Sequence, residues 1–208
     1  VMEASKKNNV NKIIFPSTTS VYGPTSGVAK EDCDLGDMKP QSPYAEFKLK
    51  AEKTIIDECK KGCVSGVVLR FGTVFGPSVG MRFHTAINKF IFLACTNRPL
   101  EVWKSALNQK RPYLDLRDAV KAIIFMLEKE NLNGEIYNVV TANMDLSETI
   151  DAIKEIMPDI KIEFTESPLI NQMSYFTDSE KLKRLGFDYT GNLRESIKQT
   201  ISSLKSLK

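Results

Sequence analysis

The sequence predicts an α/β protein with a mainly parallel sheet, on three observations. Short apolar runs alternate with longer amphipathic stretches over nearly the whole chain, as strands and crossover helices alternate when successive strands pair in parallel. Two of the apolar runs, KIIF and GVVLRF, lead into the loops FPSTTSVYG and RFGTVFGP. Between those loops Ser42 and Pro43 open a helical stretch, a capping side chain followed by a residue whose missing N–H costs nothing in a first turn.

Taken in order, the opening VMEASKK reads as the end of a helix, Asn8 to Asn11 as a polar turn, and KIIF as a short buried strand ending at Phe15. A helix follows from Ser42 to about Lys61, then the strand GVVLRF and an apolar helical stretch near Ala86 to Ala94. The strand LEVW, the helix LRDAVKAIIFMLEK and the strand EIYNVV come next. The chain continues with the helix LSETIDAIKEIM, the strand KIEF, the helix DSEKLKRLG and a final helix NLRESIKQTISSLKSL. The stripe Val120, Ile123, Ile124 and Leu127 has helical spacing and reads as core packing rather than a partner surface.

With 208 residues, 42% hydrophobic and 26% charged, the chain has the profile of a soluble globular protein of one domain or slightly more. Its net charge of +3 is spread along the sequence, and the basic runs KLKRLG and SLKSLK read as solvated helix faces, which argues against a nucleic-acid partner. The longest apolar run, FIFLAC, is too short to span a bilayer, and no charged-then-apolar signal opens the chain. A cytoplasmic protein without a membrane partner is expected. Cys33, Cys59, Cys63 and Cys95 are irregularly spaced and His84 is the sole histidine, so neither a disulfide scaffold nor a histidine-rich zinc site is expected.

In SPYAEFK, Tyr44 and Lys48 stand four residues apart. On a helix that spacing places them on one face, with Cβ atoms about 5–6 Å apart. A free tyrosine has a pKa of about 10, and a neighbouring cation that favours the phenolate makes it usable as an acid or base nearer neutrality. The plain alternative is an amphipathic helix with a surface tyrosine and a solvated lysine. Context favours chemistry, because ligands of open α/β sheets bind beyond the carboxyl ends of strands. The loops after Phe15 and Arg70, with the helix between them in sequence, can face one such crevice.

The segments STTSVYG, SPYAEFK, LRFGTVFGP, KRPYLDLRDAV, GEIYNVV and KLKRLGF, in this order and spacing, resemble the extended short-chain dehydrogenase/reductase family, in particular its nucleotide-sugar epimerases and dehydratases. The resemblance implies the carboxyl-terminal part of a Rossmann-like doubly wound parallel sheet with a small α/β substrate-binding subdomain. It implies NAD as cofactor, a nucleotide-diphosphate sugar as substrate and a homodimer when the enzyme is complete. Tyr44 would be the catalytic acid/base, Lys48 would hold the nicotinamide ribose and lower the tyrosine pKa, and Thr18 would hydrogen-bond the reacting sugar hydroxyl. Phe71 would lie beside the nicotinamide, and Thr73 stands where many relatives have a substrate-binding asparagine. Trp103 would pack against the nucleotide base, Arg111 would meet the diphosphate, and His84 and Asn88 fall near the substrate loop. Each has a plainer reading: Thr18 as a loop hydroxyl bonded to nearby backbone with Ser17, Thr19 and Ser20 as neighbours, Trp103 as core, Arg111 as a surface partner of Asp115 or Asp118, and His84 as an incidental loop residue.

Two departures from the family shape the expectation. No G-x-x-G-x-x-G turn occurs, so the chain reads as an incomplete enzyme lacking about a hundred residues, at about thirty per βαβ unit. By itself it is expected to bind NAD only weakly. Residues 1–75 then read as the remainder of the NAD-binding domain and 76–208 as mainly the substrate subdomain, with about 112–142 returning to the core. Second, family dehydratases carry Asp-Glu after the catalytic threonine, where this chain has Thr19 and Ser20. That disfavours loss of water and leaves 4-epimerisation of a UDP-hexose as the expected reaction. A nucleotide-sugar reductase or decarboxylase, or a non-catalytic remnant or binding module, are the alternatives.

Overall fold

The computed structural model describes residues 1–25, 27–34, 36–62, 64–166 and 175–206, so Cys63 lies outside the described residues. The chain opens with α1 (Met2–Lys7), β1 (Lys12–Thr18), a 3-10 turn at Thr19–Val21, and β2 (Val28–Ala29). Next come α2 (Pro43–Lys60), β3 (Ser65–Phe71), β4 (Thr73–Phe75), α3 (Ala86–Cys95) and β5 (Leu100–Trp103). After β6 (Arg111–Asp115), α4 (Leu116–Glu128), β7 (Asn133–Val139), β8 (Ala142–Met144) and α5 (Leu146–Lys154), the chain ends with β9 (Ile162–Thr165), β10 (Phe176–Thr177), α6 (Glu180–Arg184) and α7 (Leu193–Lys205).

The main sheet has the order β1-β3-β7, parallel throughout. Val68 of β3 packs with Ile55 and Cys59 of α2 on one face, while Val67 and Leu69 pack with Leu114, Ala122 and Met126 on the other. Covering both faces suits a short apolar strand with no polar alternation. β1 runs three residues beyond Phe15, because Pro16, Ser17 and Thr18 stay in register with Leu69, Arg70 and Phe71. Pro16 is tolerable there because β1 pairs only with β3 among the described residues, and an edge strand can spare a donor. The other edge is closed by side chains: Glu31 Oε1 accepts the Asn138 amide at 2.8 Å, and the Tyr189 hydroxyl accepts the Val140 amide.

A second apolar core joins α3, α5 and α7 through Phe90, Ile91, Ile150, Ile153, Ile197 and Ile201. Its strands are short. β4 pairs with β6 in parallel and β6 with β8 in antiparallel fashion, and β5 pairs with β9 in parallel. Trp103 closes β5 with 43% of its surface exposed, so it is not core.

The stripe on α4 corrects the expectation from the sequence. Val120, Ile124 and Leu127 are 49%, 51% and 56% exposed, and of the four only Ile123 packs on the core. The helix is turned so that Asp118, Ala119, Ala122 and Met126 face inward. The small alanines let it approach the sheet, and Asp118 has polar work to do there.

That work ties the two cores together. Asp118 accepts from the Thr141 hydroxyl at 2.7 Å and from the amides of Thr190 and Gly191 ahead of α7. Asp115, at the N-cap of α4, accepts from the Arg117 amide and guanidinium and from the Ser196 hydroxyl of α7. Burial pushes the Asp115 pKa up, but the bonds from Arg117 and Ser196 outweigh it and hold the carboxyl below its ordinary value. A carboxyl depressed in the folded state stabilises the fold above its unfolded pKa of about 3.9 and loses that contribution as pH falls through the folded value. Urea unfolding midpoints should therefore fall below about pH 4, and Asp115→Asn should flatten that part of the profile. An unchanged acid limb in the variant would remove Asp115 from the account.

Candidate active site

Local chemistry sets the phase of α2. Ser42 Oγ accepts the Ala45 amide at 3.3 Å, and Pro43 fills the first turn. Tyr44, Lys48 and Glu52 then follow one another along one face at intervals of four. Tyr44 is exposed, Lys48 is half-buried and Glu52 is fully buried, so the face descends from solvent into the protein. Lys48 Nζ donates to the Pro16 carbonyl at 2.6 Å and lies 5.8 Å from the Tyr44 ring centroid. Burial lowers the Lys48 pKa below the ordinary lysine value, with the Glu52 charge acting the other way.

Thr18 ends β1, and its Oγ1 accepts the Ser20 amide at 3.2 Å. The plain reading of this hydroxyl therefore describes a bond it makes, yet Thr18 also lines the crevice. Its neighbours divide: the Ser17 hydroxyl is committed to Glu52, Thr19 is buried, and Ser20 lines the crevice beside Thr18. Behind them the 3-10 turn leads to Gly23, whose φ of 66° lies in the left-handed region and whose backbone passes against Lys39; a Cβ there would collide with the Lys39 carbonyl.

A crevice of about 570 Å³ opens beyond the carboxyl ends of β1 and β3. It brings together Thr18, Tyr44, Lys48, Phe71, Thr73, His84 and Asn88. Its back is tight, because a Cβ at Gly72 would meet the Pro112 carbonyl oxygen at 2.9 Å. Asn88 is buried, and its Oδ1 accepts the Gly76 amide at 3.3 Å, so it also braces the loop above the crevice. Arg82 and Ser78 were not singled out by the sequence and line the crevice as well. The described lining residues include the cations Lys48 and Arg82 and no carboxylate.

Trp103 and Arg111 do not reach this crevice. They line a second hollow of about 400 Å³ with Glu101 and Tyr113, and His84 lines both. Arg111 Nη2 donates to Gln109 Oε1 at 3.3 Å, and its guanidinium carbon is 5.3 Å from the Tyr175 ring centroid. Burial lowers its pKa while Tyr175 and Tyr113 oppose that effect. Burial likewise pushes the Tyr113 hydroxyl up to about 12. The alternative partners proposed for Arg111 are engaged elsewhere: Asp115 with Arg117 and Ser196, Asp118 with Thr141 and two amides. Among the described residues no cluster of three or more His, Cys, Asp or Glu could hold a metal ion, and no helix is long and apolar enough to cross a membrane.

Beneath the crevice lies an arrangement that the sequence reading missed. Glu52 and Arg70 are both fully buried and form an ion pair with Arg70 Nη2 at 2.7 Å from Glu52 Oε2. The signal was present: Arg70 is the one charged residue in GVVLRF, and a cation in a buried strand requires a buried partner.

Comparisons with known proteins converge on one family. A model described as the NAD dependent epimerase/dehydratase family matches residues 1–140. The chain is 32% identical to dTDP-D-glucose 4,6-dehydratase of Homo sapiens, over 97% of its own length and 58% of the other protein's. It is 28% identical to the uncharacterized UDP-glucose epimerase YtcB of Bacillus subtilis, over 100% of its own length and 65% of the other's. Among solved structures, MoeE5 in complex with UDP-glucuronic acid and NAD matches with a TM-score of 0.87 at 26% identity, covering 100% of this chain and 69% of that one. UDP-glucuronic acid 4-epimerase of Bacillus cereus, in complex with UDP-glucuronic acid and NAD, also gives 0.87 at 26% identity, over 100% and 65%. The chain spans from 30% to 65% of the length of such curated relatives.

Proposed function

The chain belongs to the NAD dependent epimerase/dehydratase family, and from that premise we propose that it serves the 4-epimerisation of a nucleotide-diphosphate hexose. The observation that carries this reading is the convergence of Tyr44, Lys48 and Thr18 on one crevice at the carboxyl ends of β1 and β3. The residues present fit the nicotinamide end of NAD: Lys48 and Tyr44 front one wall and Phe71 another, with an ammonium held on a backbone carbonyl. When bound, NAD supplies a reversible hydride acceptor for the sugar carbon. In this reading residues 1–75 and about 112–142 form the cofactor side, and the rest of 76–208 holds the nucleotide sugar.

The chain's own residues handle the proton. Tyr44 takes the hydroxyl proton from the sugar carbinol as the carbon is oxidised and gives it back when the ketone is reduced on its other face. Lys48 keeps positive charge on the same helix face and stabilises negative charge as it develops on the phenolic oxygen. Thr18, fixed by the Ser20 amide, orients the sugar oxygen toward Tyr44. Elimination of water needs a further acid, and the absence of a carboxylate among the described crevice residues supports a redox-neutral epimerisation over dehydration. Trp103 and Arg111 belong to the nucleotide: an indole face for the base and a planar fork for the diphosphate.

One observation favours a second reading of the sugar. The described residues that line the crevice include Lys48 and Arg82 and no carboxylate, which suits a hexose that itself carries a carboxylate, as in the UDP-glucuronic acid held by MoeE5.

Three measurements test these assignments, each made on the full-length protein with NAD supplied. Tyr44→Phe should lower formation of the 4-epimer by about a hundredfold or more while the fold is retained; near-normal turnover would sink the role. Arg111→Ala should weaken UDP binding, read by calorimetry, more than about tenfold, or about 1.4 kcal/mol. Equal affinities would place Arg111 outside the diphosphate site. Arg82→Met should raise KM for UDP-glucuronic acid and leave that for UDP-glucose nearly unchanged if the sugar is acidic. A parallel change in both would return the choice to the neutral hexose.

A further inference from the structure

A fully buried ion pair calls for an explanation other than stability. Taking both charges out of water costs about as much as their attraction returns, and apolar residues of equal volume often serve the fold as well or better. Glu52 and Arg70 are each 0% exposed. Their setting is unusually directional. Glu52 on α2 accepts from Arg70 Nε at 3.1 Å and Nη2 at 2.7 Å, and from the Ser17 hydroxyl on β1. The Arg70 guanidinium lies 4.8 Å from the Tyr22 ring centroid, and the Tyr22 hydroxyl donates to Asn138 Oδ1 of β7 at 2.8 Å. Arg70 Nη1 is buried without a hydrogen-bond partner.

Position explains what stability does not. Ser17, Arg70 and Asn138 occupy one row across the three strands, and the next row contains Thr18 and Phe71. On α2, Glu52 sits one step of four beyond Lys48 and two beyond Tyr44, about 12 Å from it along the axis. The apolar contacts of Ala45, Ile55 and Cys59 bury the helix, but such contacts are non-directional and resist sliding or rotation weakly. A carboxylate bonded at once to β1 and β3 removes that freedom. We propose that Glu52 and Arg70 are positioning residues, a buried clamp that locks α2 to the strand row behind the crevice and so sets the Tyr44–Lys48 face against Thr18. The consequence for turnover rests on the catalytic reading given above; the clamp itself does not.

The clamp is tested with a charge-balanced replacement, Glu52→Leu with Arg70→Met, beside the milder Ser17→Ala. The double substitution removes one charge of each sign, and of the two it is Glu52 that holds the Lys48 pKa up, so loss of that charge alone would lower the Lys48 titration further. The other groups that face Lys48 are the Phe15 ring and Pro16 carbonyl of β1 and Tyr44 on its own helix. A rise of the Lys48 titration toward the ordinary lysine value therefore reports displacement out of its buried position. The readout is the NMR titration of lysine side chains in the protein without ligands, with Lys48 assigned by Lys48→Arg. The double variant is expected to fold with an undiminished melting temperature, while Lys48 titrates closer to an ordinary lysine. In a form that turns over, kcat should fall by about a hundredfold, the cost of a misplacement of about 1 Å, with KM altered less than about twofold. Ser17→Ala should move both in the same direction by less. A double variant that keeps the native Lys48 titration and kcat reduces the pair to packing. One that fails to fold, with Ser17→Ala lowering the melting temperature but not moving Lys48, assigns the pair to stability; either result overturns the proposal. If Tyr44→Phe retains turnover while the double variant still moves Lys48, the catalytic reading fails and the clamp stands.

Discussion

The arrangement of the molecule depends on the parallel pairing of β1 with β3. Parallel strands end on the same side of the sheet, so the residues that finish them, Thr18 and Phe71, stand side by side in register. An antiparallel pairing would send them to opposite ends. The chain must then cross over between the two strands, and α2 is the crossover. Its first turns rise at the same end of the sheet where the strands stop, which is why a tyrosine and a lysine near a helix N-terminus can face a threonine at a strand C-terminus. The crevice follows from this topology before any particular side chain is chosen.

Much of this was legible in the sequence, for identifiable reasons. The Ser-Pro start of α2, the glycine-bearing loop after β3 and the apolar runs of β1, β3, β5 and β7 are local signals, written in residues that adjoin one another. The short strands β4, β6 and β8 were not seen, because strands of three to five residues take their identity from partners distant in sequence. The rotation of α4 escaped for a similar reason. Apolar spacing identifies a helix, but the inward face was settled by Asp118 reaching Thr141 and the amides of Thr190 and Gly191. Trp103 and Arg111 were grouped by resemblance, and the structure sets both on one hollow. Arg82 carried no pattern that would mark it out.

Two hollows lie along the second core. One lies at the main sheet, and the other lies among β5, β6 and the start of α3, with His84 on the wall between them. The hydrogen bonds of Asp115 and Asp118 run from α4 to α7 and to Thr141 at the end of the main sheet's last strand. Those bonds fix the distance between the hollows. In the proposed reading, a nucleotide sugar spanning both would be measured against a ruler made of two buried carboxylates.

The two edges of the main sheet differ. Glu31 and Tyr189 side chains bond to backbone amides along and just beyond β7, whereas among the described residues β1 pairs with β3 alone and lies beside α4, which carries the half-exposed Val120, Ile124 and Leu127. An edge strand flanked by apolar helix surface is a template for strand addition. A strand that paired with β1 there would bond to the strand that ends in Ser17 and Thr18. Pairing on that side would bear on the two hydroxyls through the backbone of a single strand.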